Sequence, residues 1–211
     1  AYALFARSDE AGRAMSEAEL VDMIEHLRSG TSISMWVPFN EGWGQFDAAR
    51  IADVVKAVDP TRGVDHASGW HDQGAGDLIS KHVYFRRVKI RRGWKKDSRV
   101  IALTEYGGYD HAIRRHMWGA KPMGYKRFAS AGALMNGFMR LHVEEIAPAI
   151  AEGLAATVYT QLSDVENEVN GMVTYDREVV KFDESAVRAI NDQLRRVFAG
   201  KSVGAKEKDR D

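Results

Sequence analysis

Two glutamates end apolar, strand-like segments and are the residues most suited to chemistry. Glu41 closes the stretch "MWVPFNEG", and Glu105 closes "VIALTEYGG". In parallel α/β folds the carboxyl ends of the strands form the functional face, because the loops there frame a crevice. Two carboxyl groups on that face can serve as proton donor and nucleophile at a glycosidic bond. The alternative for each glutamate taken alone is a capping or surface ion-pair role.

The apolar pattern around these glutamates predicts strands that alternate with helices. Short apolar runs, partly β-branched and bounded by turn residues, are typical of strands buried on both faces. Alternation with helices indicates parallel βαβ units, so we expect an α/β fold. The predicted strands cover residues 33–37, 63–67, 78–84, 100–104 and 155–160.

Helix signals lie between the predicted strands. Ser16 followed by Glu19 predicts a capping box at the start of the first helix. Apolar residues at helical spacing predict a second helix near residues 51–58 and a long one over residues 124–151. The last helix would be capped by Asp183 or Ser185, and the charged residues 200–211 are expected to form a disordered tail.

Composition restricts the classes of partner. The chain has 211 residues, 45% of them hydrophobic, with 30 basic and 30 acidic side chains and no cysteine. Such a chain can bury a core, has no net field that attracts nucleic acid or anionic membranes, and has no disulfides or thiolate metal ligands. No apolar run approaches the roughly 20 residues of a membrane span. We therefore expect a soluble protein, cytoplasmic or secreted.

Other possible ligand-binding signals are weak. The stretch "GWHDQGAGD" lacks both the dinucleotide-binding spacing and a Gly-Lys-Ser/Thr ending. No two histidines have the spacing of a helical zinc site with an acid between them, so we predict no catalytic metal and no cofactor. Residues 86–96 carry seven basic side chains around Trp94, which is more typical of a solvated loop than of a nucleic-acid site.

Four segments taken together resemble a known enzyme family. In order along the chain they are "WVPFNEGWGQFD", "VDHASGWHDQGAGD", "TEYGG" and "YTQLSDVENEVNGMVTYDR". They are similar to the catalytic domain of glycoside hydrolase family 2, the family of β-galactosidases, β-glucuronidases and β-mannosidases. The resemblance implies a (β/α)8 TIM-barrel fold, of which residues 1–199 would supply the part from the third helix through the eighth strand and its helix.

The resemblance also implies a reaction. Glu41 would be the general acid/base and Glu105 the nucleophile of a retaining, β-galactosidase-like enzyme that hydrolyses terminal O-glycosidic bonds by double displacement. Asn40 would bind the 2-hydroxyl group of the sugar. Tyr84 would donate a hydrogen bond to Glu105 and help to keep it ionised, whereas a tyrosine packed with its hydroxyl outward is the alternative.

Further residues would shape the sugar site. Trp70 offers an apolar plate for a pyranose ring, with His71 and Asp72 beside it as hydrogen-bonding groups, although a core tryptophan is equally compatible with the pattern. His82 is predicted to bind a sugar hydroxyl or, alternatively, to be a core histidine. Trp118 would form a wall on the leaving-group side, and Gln161 would reach the sugar. The acidic residues that follow, Asp164, Glu166 and Glu168, are expected to fix their loop.

The chain departs from the family pattern in its length. A barrel of this type takes about 250 residues, and the first three strands and the preceding β-sandwich domains are not found. Open strand edges must be covered, so we expect missing N-terminal strands or a homo-oligomer besides the carbohydrate substrate, and weak or no turnover by the 211 residues alone. β-Glucuronidase and β-mannosidase activity stay open, as does a non-catalytic carbohydrate-binding or scaffold role.

Overall fold

Strands and helices alternate along most of the chain in the computed structural model, which describes residues 4–208. None of the helices in this range is both long and apolar enough to span a bilayer. The elements are α1 (Glu10–Leu27), β1 (Met35–Trp36), α2 (Ala48–Val58), β2 (Gly63–Val64), β3 (Leu78–Val83), β4 (Val100–Gly107), β5 (Tyr109–Asp110), β6 (Lys126–Arg127), α3 (Ala131–Leu141), a π-helical turn (His142–Ile146), α4 (Ala147–Glu152), β7 (Leu154–Thr160) and α5 (Glu184–Lys208).

The sheets belong to the predicted α/β class. Strands β1 and β2 pair in parallel, and so do β5 and β6. Strand β4 has β3 as one neighbour and β7 as the other. Within residues 4–208 the strands form three separate sheets, so the structure shows parts of the expected barrel architecture and no closed eight-stranded barrel.

The chain divides into two compact units. The first comprises Ala1–His82 and Lys96–Thr104, and the second comprises Val83–Lys95 and Glu105–Asp211. Strands β3 and β4 therefore begin in the first unit and end in the second. Glu41 belongs to the first unit and Glu105 to the second.

Helix α2 supplies the centre of the first unit's core. Its residues Ile51 and Val55 have no exposed surface, and they pack in one cluster with Ile24 of α1, Trp36 of β1 and Val64 of β2. The apolar residues of α2 recur at helical spacing and so line one face of the helix. This face covers the β1–β2 pair, whose strand ends lead into the loops that carry Glu41 and Trp70.

A buried carboxylate fixes the turn between α2 and β2. Asp59 accepts hydrogen bonds from the Thr61 hydroxyl (2.5 Å), the Trp36 indole nitrogen (2.9 Å) and the Arg62 guanidinium (2.6 Å). The hydrogen bonds from Thr61 and Trp36 lower the pKa of Asp59 below its usual range, although burial opposes them. These contacts anchor β1 to the following turn and explain why a charged residue is tolerated there.

The second unit has its own core between α3 and α5. Leu134 and Phe138 of α3 pack with Phe182 and Ile190, all at most 5% exposed. Helix α3 begins after Ser130, whose hydroxyl accepts a hydrogen bond from the backbone of Ala133. The π-helical turn joins α3 to α4, so the two α-helices follow each other with little interruption.

The predicted start of the first helix is wrong. Helix α1 begins at Glu10, and Asp9 is its N-cap because its carboxylate accepts a hydrogen bond from the backbone nitrogen of Gly12 at 2.5 Å. Ser16 and Glu19 lie inside α1 and therefore form no capping box. Asp9 is as good a cap as serine, and no helix-breaking residue separates it from Ser16.

The predicted long helix also starts too early. Helix α3 begins at Ala131, whereas the segment after Gly124 forms β6. A Cβ atom at Gly124 would lie 2.3 Å from Cβ of Asp110, so the glycine permits a close strand contact. Asp183 caps α5 as predicted. The backbone of α5 is helical as far as Lys208; residues 209–211 lie outside the described range, and the disordered tail stays a prediction.

We predict that a cavity in the first core costs far more stability than the same truncation outside it. Val55→Ala should lower the free energy of unfolding by about 2 kcal/mol, because two buried methyl groups are lost and a cavity is left. Val37→Ala is the matched control, since Val37 is 48% exposed, and should cost less than about 0.5 kcal/mol. Urea unfolding of both variants measures the difference, and equal losses would contradict the assigned core.

Candidate active site

A tight turn presents Glu41 at the end of the segment that follows β1. Its backbone is left-handed, with φ of 56°, and Gly42 follows with φ of 84°. The backbone nitrogen of Glu41 donates to the carbonyl of Ser68 at 2.9 Å, which ties this turn to the segment after β2. A left-handed glutamate is uncommon and requires support from its surroundings. The exposed neighbour Asn40 lies in the same turn, and its carbonyl accepts a bond from Trp43.

His82, near the end of β3, makes the principal side-chain contact of Glu41 in the first unit. Its Nδ1 lies 2.8 Å from Oε1 of Glu41, and its Nε2 lies 2.8 Å from the hydroxyl of Ser68. The His82 side chain has no exposed surface, whereas that of Glu41 is 25% exposed. Both ring nitrogens therefore have protein partners, and binding of a sugar hydroxyl by His82 stays a prediction.

Trp70 covers His82 from the next loop. The two rings meet edge to face, with centroids 5.5 Å apart, and the indole nitrogen donates to the backbone carbonyl of His82 at 3.3 Å. Gly69, with φ of 110°, allows the sharp bend just before Trp70. About half of the tryptophan surface stays exposed. An exposed tryptophan face of this kind suits the predicted stacking of a sugar ring on Trp70, which stays a prediction.

Asp72 belongs to a structural ion-pair network. Both of its carboxylate oxygens accept hydrogen bonds from Arg99, at 2.8 and 3.0 Å, and His66 lies 3.2 Å away. Burial alone would raise the pKa of Asp72, but its bonds with His66 and Arg99 outweigh this effect and place the pKa below its usual range. Asp72 therefore stabilises the glycine-rich loop of residues 69–77 through these contacts. The carbonyl of His71 accepts a bond from the amide of Gln45.

Glu105, on β4, is held by a tyrosine of its own unit. The hydroxyl of Tyr84 donates to Oε2 of Glu105 at 2.6 Å, and the Thr160 hydroxyl lies 2.9 Å from the same phenol oxygen. Burial, together with the bond to Glu105, raises the pKa of Tyr84 above its ordinary value, so the phenol keeps its proton. A retained phenol proton is a donor, and donation to a carboxylate favours its ionised form.

Two glycines after Glu105 permit the aromatic packing around Tyr84. Tyr125 stacks on Tyr84 with ring centroids 4.2 Å apart and planes within 2°. A Cβ atom at Gly108 would lie 2.4 Å from the Tyr125 ring, and one at Gly107 would lie 2.3 Å from Tyr159. Both glycines also have positive φ. The Gly-Gly pair indicates a close approach in the sequence. It does not identify Tyr125 as the partner, because the apolar pattern placed Tyr125 inside the predicted long helix, whereas it directly precedes β6.

Gln161 and the acidic residues that follow it lie in the loop after β7 and make contacts within it. The amide nitrogen of Gln161 donates to Glu168 at 3.1 Å and to Asn170 at 3.0 Å. Glu166 has a left-handed backbone, with φ of 49°, in the turn closed by Glu168. The loop-fixing role is confirmed for Glu168, whereas contact between Gln161 and a sugar stays a prediction.

A buried ion pair supports the same loop. Lys181 donates to Oδ1 of Asp164 at 2.7 Å, and both side chains are at most 1% exposed. The same oxygen accepts a hydrogen bond from the backbone nitrogen of Gly171. Burial raises the pKa of the Asp164 carboxyl and lowers the pKa of the Lys181 ammonium, while their contact opposes both shifts. Asp164 fixes the loop as predicted. No pattern in the sequence identifies Lys181 as its ion-pair partner.

Trp118 forms an exposed aromatic pair with Tyr175. Their ring centroids are 5.0 Å apart, and Trp118 is 60% exposed. His116 and Asp176 join the same two segments through a contact of 2.8 Å. Hydrogen bonds lower the pKa of Asp176 to about 2, and the bond from the Thr174 hydroxyl has a larger effect than the contact with His116. An exposed aromatic surface fits the predicted leaving-group wall, and Tyr175 would belong to it as well.

The basic segment after β3 has protein partners. The backbone of Val88 donates to Glu145, and Lys95 donates to Glu152. Several of its other basic side chains, Arg86 and Arg87 among them, are exposed, as expected for a solvated loop. A cavity of about 310 Å³ lies beside it, lined among others by Phe85, Arg86, Tyr109, Tyr125, Lys126 and Glu145.

Several solved structures with a similar fold are glycosidases. A β-glucuronidase from an uncultured Clostridium species matches with a TM-score of 0.57 and 14% identity, over 87% of this chain and 36% of that one. A Faecalibacterium prausnitzii β-glucuronidase gives 0.57 and 15%, over 87% and 35%. The GH2 β-galacturonidase from Eisenbergiella tayi, bound to galacturonate, gives 0.56 and 16%, over 85% and 36%. No protein-family model and no curated protein sequence matches this chain.

This similarity concerns the fold. The chain spans about a third of the length of each of these enzymes, and the identities are low. The chain therefore folds like part of a glycoside hydrolase barrel of the GH2 type. In the first unit the structure brings Glu41, His82 and Trp70 together, and in the second it brings Tyr84 to Glu105.

We predict that breaking the buried ion pair destabilises the second unit. Lys181→Met should lower the free energy of unfolding by about 3 kcal/mol, because it leaves the Asp164 carboxylate buried without its cation. The double variant Asp164→Asn/Lys181→Met should recover more than half of the loss, since no uncompensated charge then remains. Urea unfolding of both proteins tests this, and a double variant as unstable as Lys181→Met would argue against the electrostatic explanation.

Proposed function

We propose that the chain forms part of a retaining β-glycosidase that hydrolyses terminal β-linked sugars by double displacement. The observation that carries this proposal is the hydrogen bond of 2.6 Å from the Tyr84 hydroxyl to Glu105. It supplies the nucleophile with a donor that favours its ionised state. The glycosidase folds of the similar structures and the family resemblance of the four segments support the same assignment.

The proposed reaction has two halves. In the first, the Glu105 carboxylate attacks the anomeric carbon, the bond to the leaving oxygen breaks, and Glu41 gives that oxygen a proton. In the second, Glu41 takes a proton from water, the resulting hydroxide equivalent attacks the same carbon, and Glu105 is released as a carboxylate. Glu41 thus begins and ends the cycle protonated, and the sugar keeps its β configuration.

The surrounding residues are assigned to binding. Asn40 would hold the 2-hydroxyl group, Trp70 would stack against the sugar ring, and Gln161 would contact a further hydroxyl. Trp118 would contact the leaving group, with Tyr175 beside it at 5.0 Å. Bonds to the 2-hydroxyl group strengthen in the transition state and add to catalysis.

Two sugar classes compete as substrates. The sequence resemblance alone favours a β-galactoside, with β-mannosides as another possibility within the family. Similar solved structures are β-glucuronidases and a β-galacturonidase, which favours β-glycosides of uronic acids as a second candidate. Nitrophenyl β-galactoside, β-glucuronide, β-galacturonide and β-mannoside separate these candidates by kcat/KM.

Strand β7 also supports the proposal that the protein has further parts or a second copy. Val158 of β7 is 59% exposed, and Ala155 and Ala156 are exposed as well. Apolar residues on an uncovered strand favour contact with additional chain. Sedimentation of the purified 211-residue chain should therefore show self-association that Val158→Lys reduces. Monomeric, freely soluble protein with no effect of the lysine would argue against β7 as a contact surface.

We predict different kinetic defects for the two glutamates. Glu105→Gln should abolish turnover of every substrate, because no covalent intermediate forms. Glu41→Gln should lower turnover about 10²–10⁴-fold for poor leaving groups, and much less in the first half-reaction for dinitrophenyl glycosides, which leave without a proton. The exposed Glu25 provides the matched control Glu25→Gln, which should be unaffected.

These assays compare the 211-residue chain with the longest natural protein that contains it. We expect weak or no turnover by the shorter chain. Retention of activity in Glu105→Gln would exclude the proposed nucleophile. Absence of all turnover in the longer protein, with sugar binding intact, would instead favour a non-catalytic carbohydrate-binding or scaffold role.

A further inference from the structure

We infer that His82 and Ser68 are positioning residues that confine the exchangeable proton of Glu41 to one carboxyl oxygen, Oε2. This inference rests on the proposed role of Glu41 as acid/base. It starts from two contacts of 2.8 Å in the first unit, His82 Nδ1 to Glu41 Oε1 and His82 Nε2 to Ser68 Oγ. The His82 side chain is fully buried, so these contacts are protected from water.

The first contact fixes which ring nitrogen carries a proton. An ionised carboxylate can only accept hydrogen bonds, and Glu41 must be ionised when it removes a proton from water. Nδ1 of His82 must then be the donor. A neutral imidazole with a proton on Nδ1 has an unprotonated Nε2, which accepts the hydroxyl proton of Ser68. Ser68 therefore selects the tautomer that Glu41 requires.

Further hydroxyl groups orient Ser68. Its oxygen lies 2.8 Å from Thr104 Oγ1, which lies 2.5 Å from Ser80 Oγ. Each hydroxyl has one proton, so donation by Ser68 to His82 leaves its oxygen as an acceptor for Thr104, which in turn can accept from Ser80. The protons of the Thr104 hydroxyl, the Ser68 hydroxyl and His82 Nδ1 then all point along one row towards Glu41.

Two other titratable groups border this row in the first unit. Asp65 is fully buried. Burial raises the pKa of Asp65, and the nearby Ser80 hydroxyl and His66 offset this only in part. His66 Nε2 lies 3.0 Å from the backbone nitrogen of Gln73. Among the hydroxyl groups of the row, Thr104 Oγ1 lies nearest to Ser80 Oγ, at 2.5 Å, and Ser68 Oγ lies at 3.4 Å.

This arrangement serves both halves of the proposed reaction without rearrangement. Oε1 accepts from His82 throughout, so the proton given to the leaving oxygen comes from Oε2. The proton taken from water returns to Oε2. His82 neither gains nor loses a proton, and no tautomer change is needed between the steps. Oε2 is thus the carboxyl oxygen of Glu41 that exchanges a proton in both steps.

Nitrogen-15 NMR of the histidine-labelled 211-residue chain tests this inference directly. The chain has seven histidines, and the His82 signals are identified by their loss in His82→Asn. At neutral pH we expect His82 to carry its proton on Nδ1. Ser68→Ala should raise the ratio of the Nε2-protonated to the Nδ1-protonated tautomer about fivefold, as expected for the loss of one hydrogen bond.

Thr104→Val provides a second variant that keeps Ser68 and the side-chain volume. It should shift the same ratio in the same direction but by less. Thr174→Val is its matched control, because Thr174 is a buried threonine of the second unit whose hydroxyl bonds Asp176. It should leave the His82 signals unchanged.

The outcomes are distinct from those of the glycosidase assays, because the tautomer is measured without turnover. A predominantly Nε2-protonated or doubly protonated His82 in the unmodified chain would overturn the inference, and so would an unchanged ratio in both Ser68→Ala and Thr104→Val. The expected tautomer together with an inactive longer protein would instead reject the proposed function. In an active protein, Ser68→Ala should lower kcat for poor leaving groups several-fold with KM unchanged.

Discussion

The hydrogen bond from Tyr84 to Glu105 is the interaction on which the proposed chemistry depends. A carboxylate attacks carbon only when it is ionised and correctly aimed. A hydrogen bond donated by the phenol, at 2.6 Å, favours the ionised form of a carboxylate and orients it. Its own proton is retained because burial raises the pKa of Tyr84. Stacking against Tyr125, made possible by Gly108, keeps the phenol ring in place.

The first unit holds Glu41 by different means. Its left-handed backbone is stabilised by the bond to the Ser68 carbonyl, and its side chain is held by His82. Ser68 thus supports Glu41 twice, through its backbone directly and through its hydroxyl by way of His82. Both catalytic candidates therefore occupy positions that secondary contacts restrict, as functional side chains require.

Local patterns in the sequence predicted much of the framework. All five predicted strands exist, because short apolar runs bounded by turn residues favour strands. Strand β7 is nevertheless exposed or half-buried over most of its length, so the expected burial on both faces is wrong for it. The predicted start of α1 is wrong: Asp9 caps α1 in place of Ser16, since several residues in one stretch can cap a helix and the choice depends on where the helix packs. The pair of Glu105 and Tyr84 was expected from the family resemblance.

Long-range partners could not be predicted from sequence patterns. Tyr125 directly precedes β6, in a segment that the apolar pattern predicted as helix, and Lys181 lies in the irregular segment before α5. Neither position carries a signal that identifies its partner. Ser68 is one of many serines until folding places its hydroxyl beside His82. Such contacts join residues that are far apart in the sequence, so they depend on strand register and loop path, which local propensities do not determine.

The most direct test of the central claim is covalent trapping with 2-deoxy-2-fluoro glycosides carrying an activated leaving group. The longest natural protein that contains this chain is incubated with the galactosyl and glucuronyl reagents, digested, and analysed by mass spectrometry. We predict a single labelled peptide that contains "TEYGG", with the sugar on Glu105. Attachment to another residue, or hydrolysis of substrate with no labelling of Glu105, would contradict the proposed mechanism.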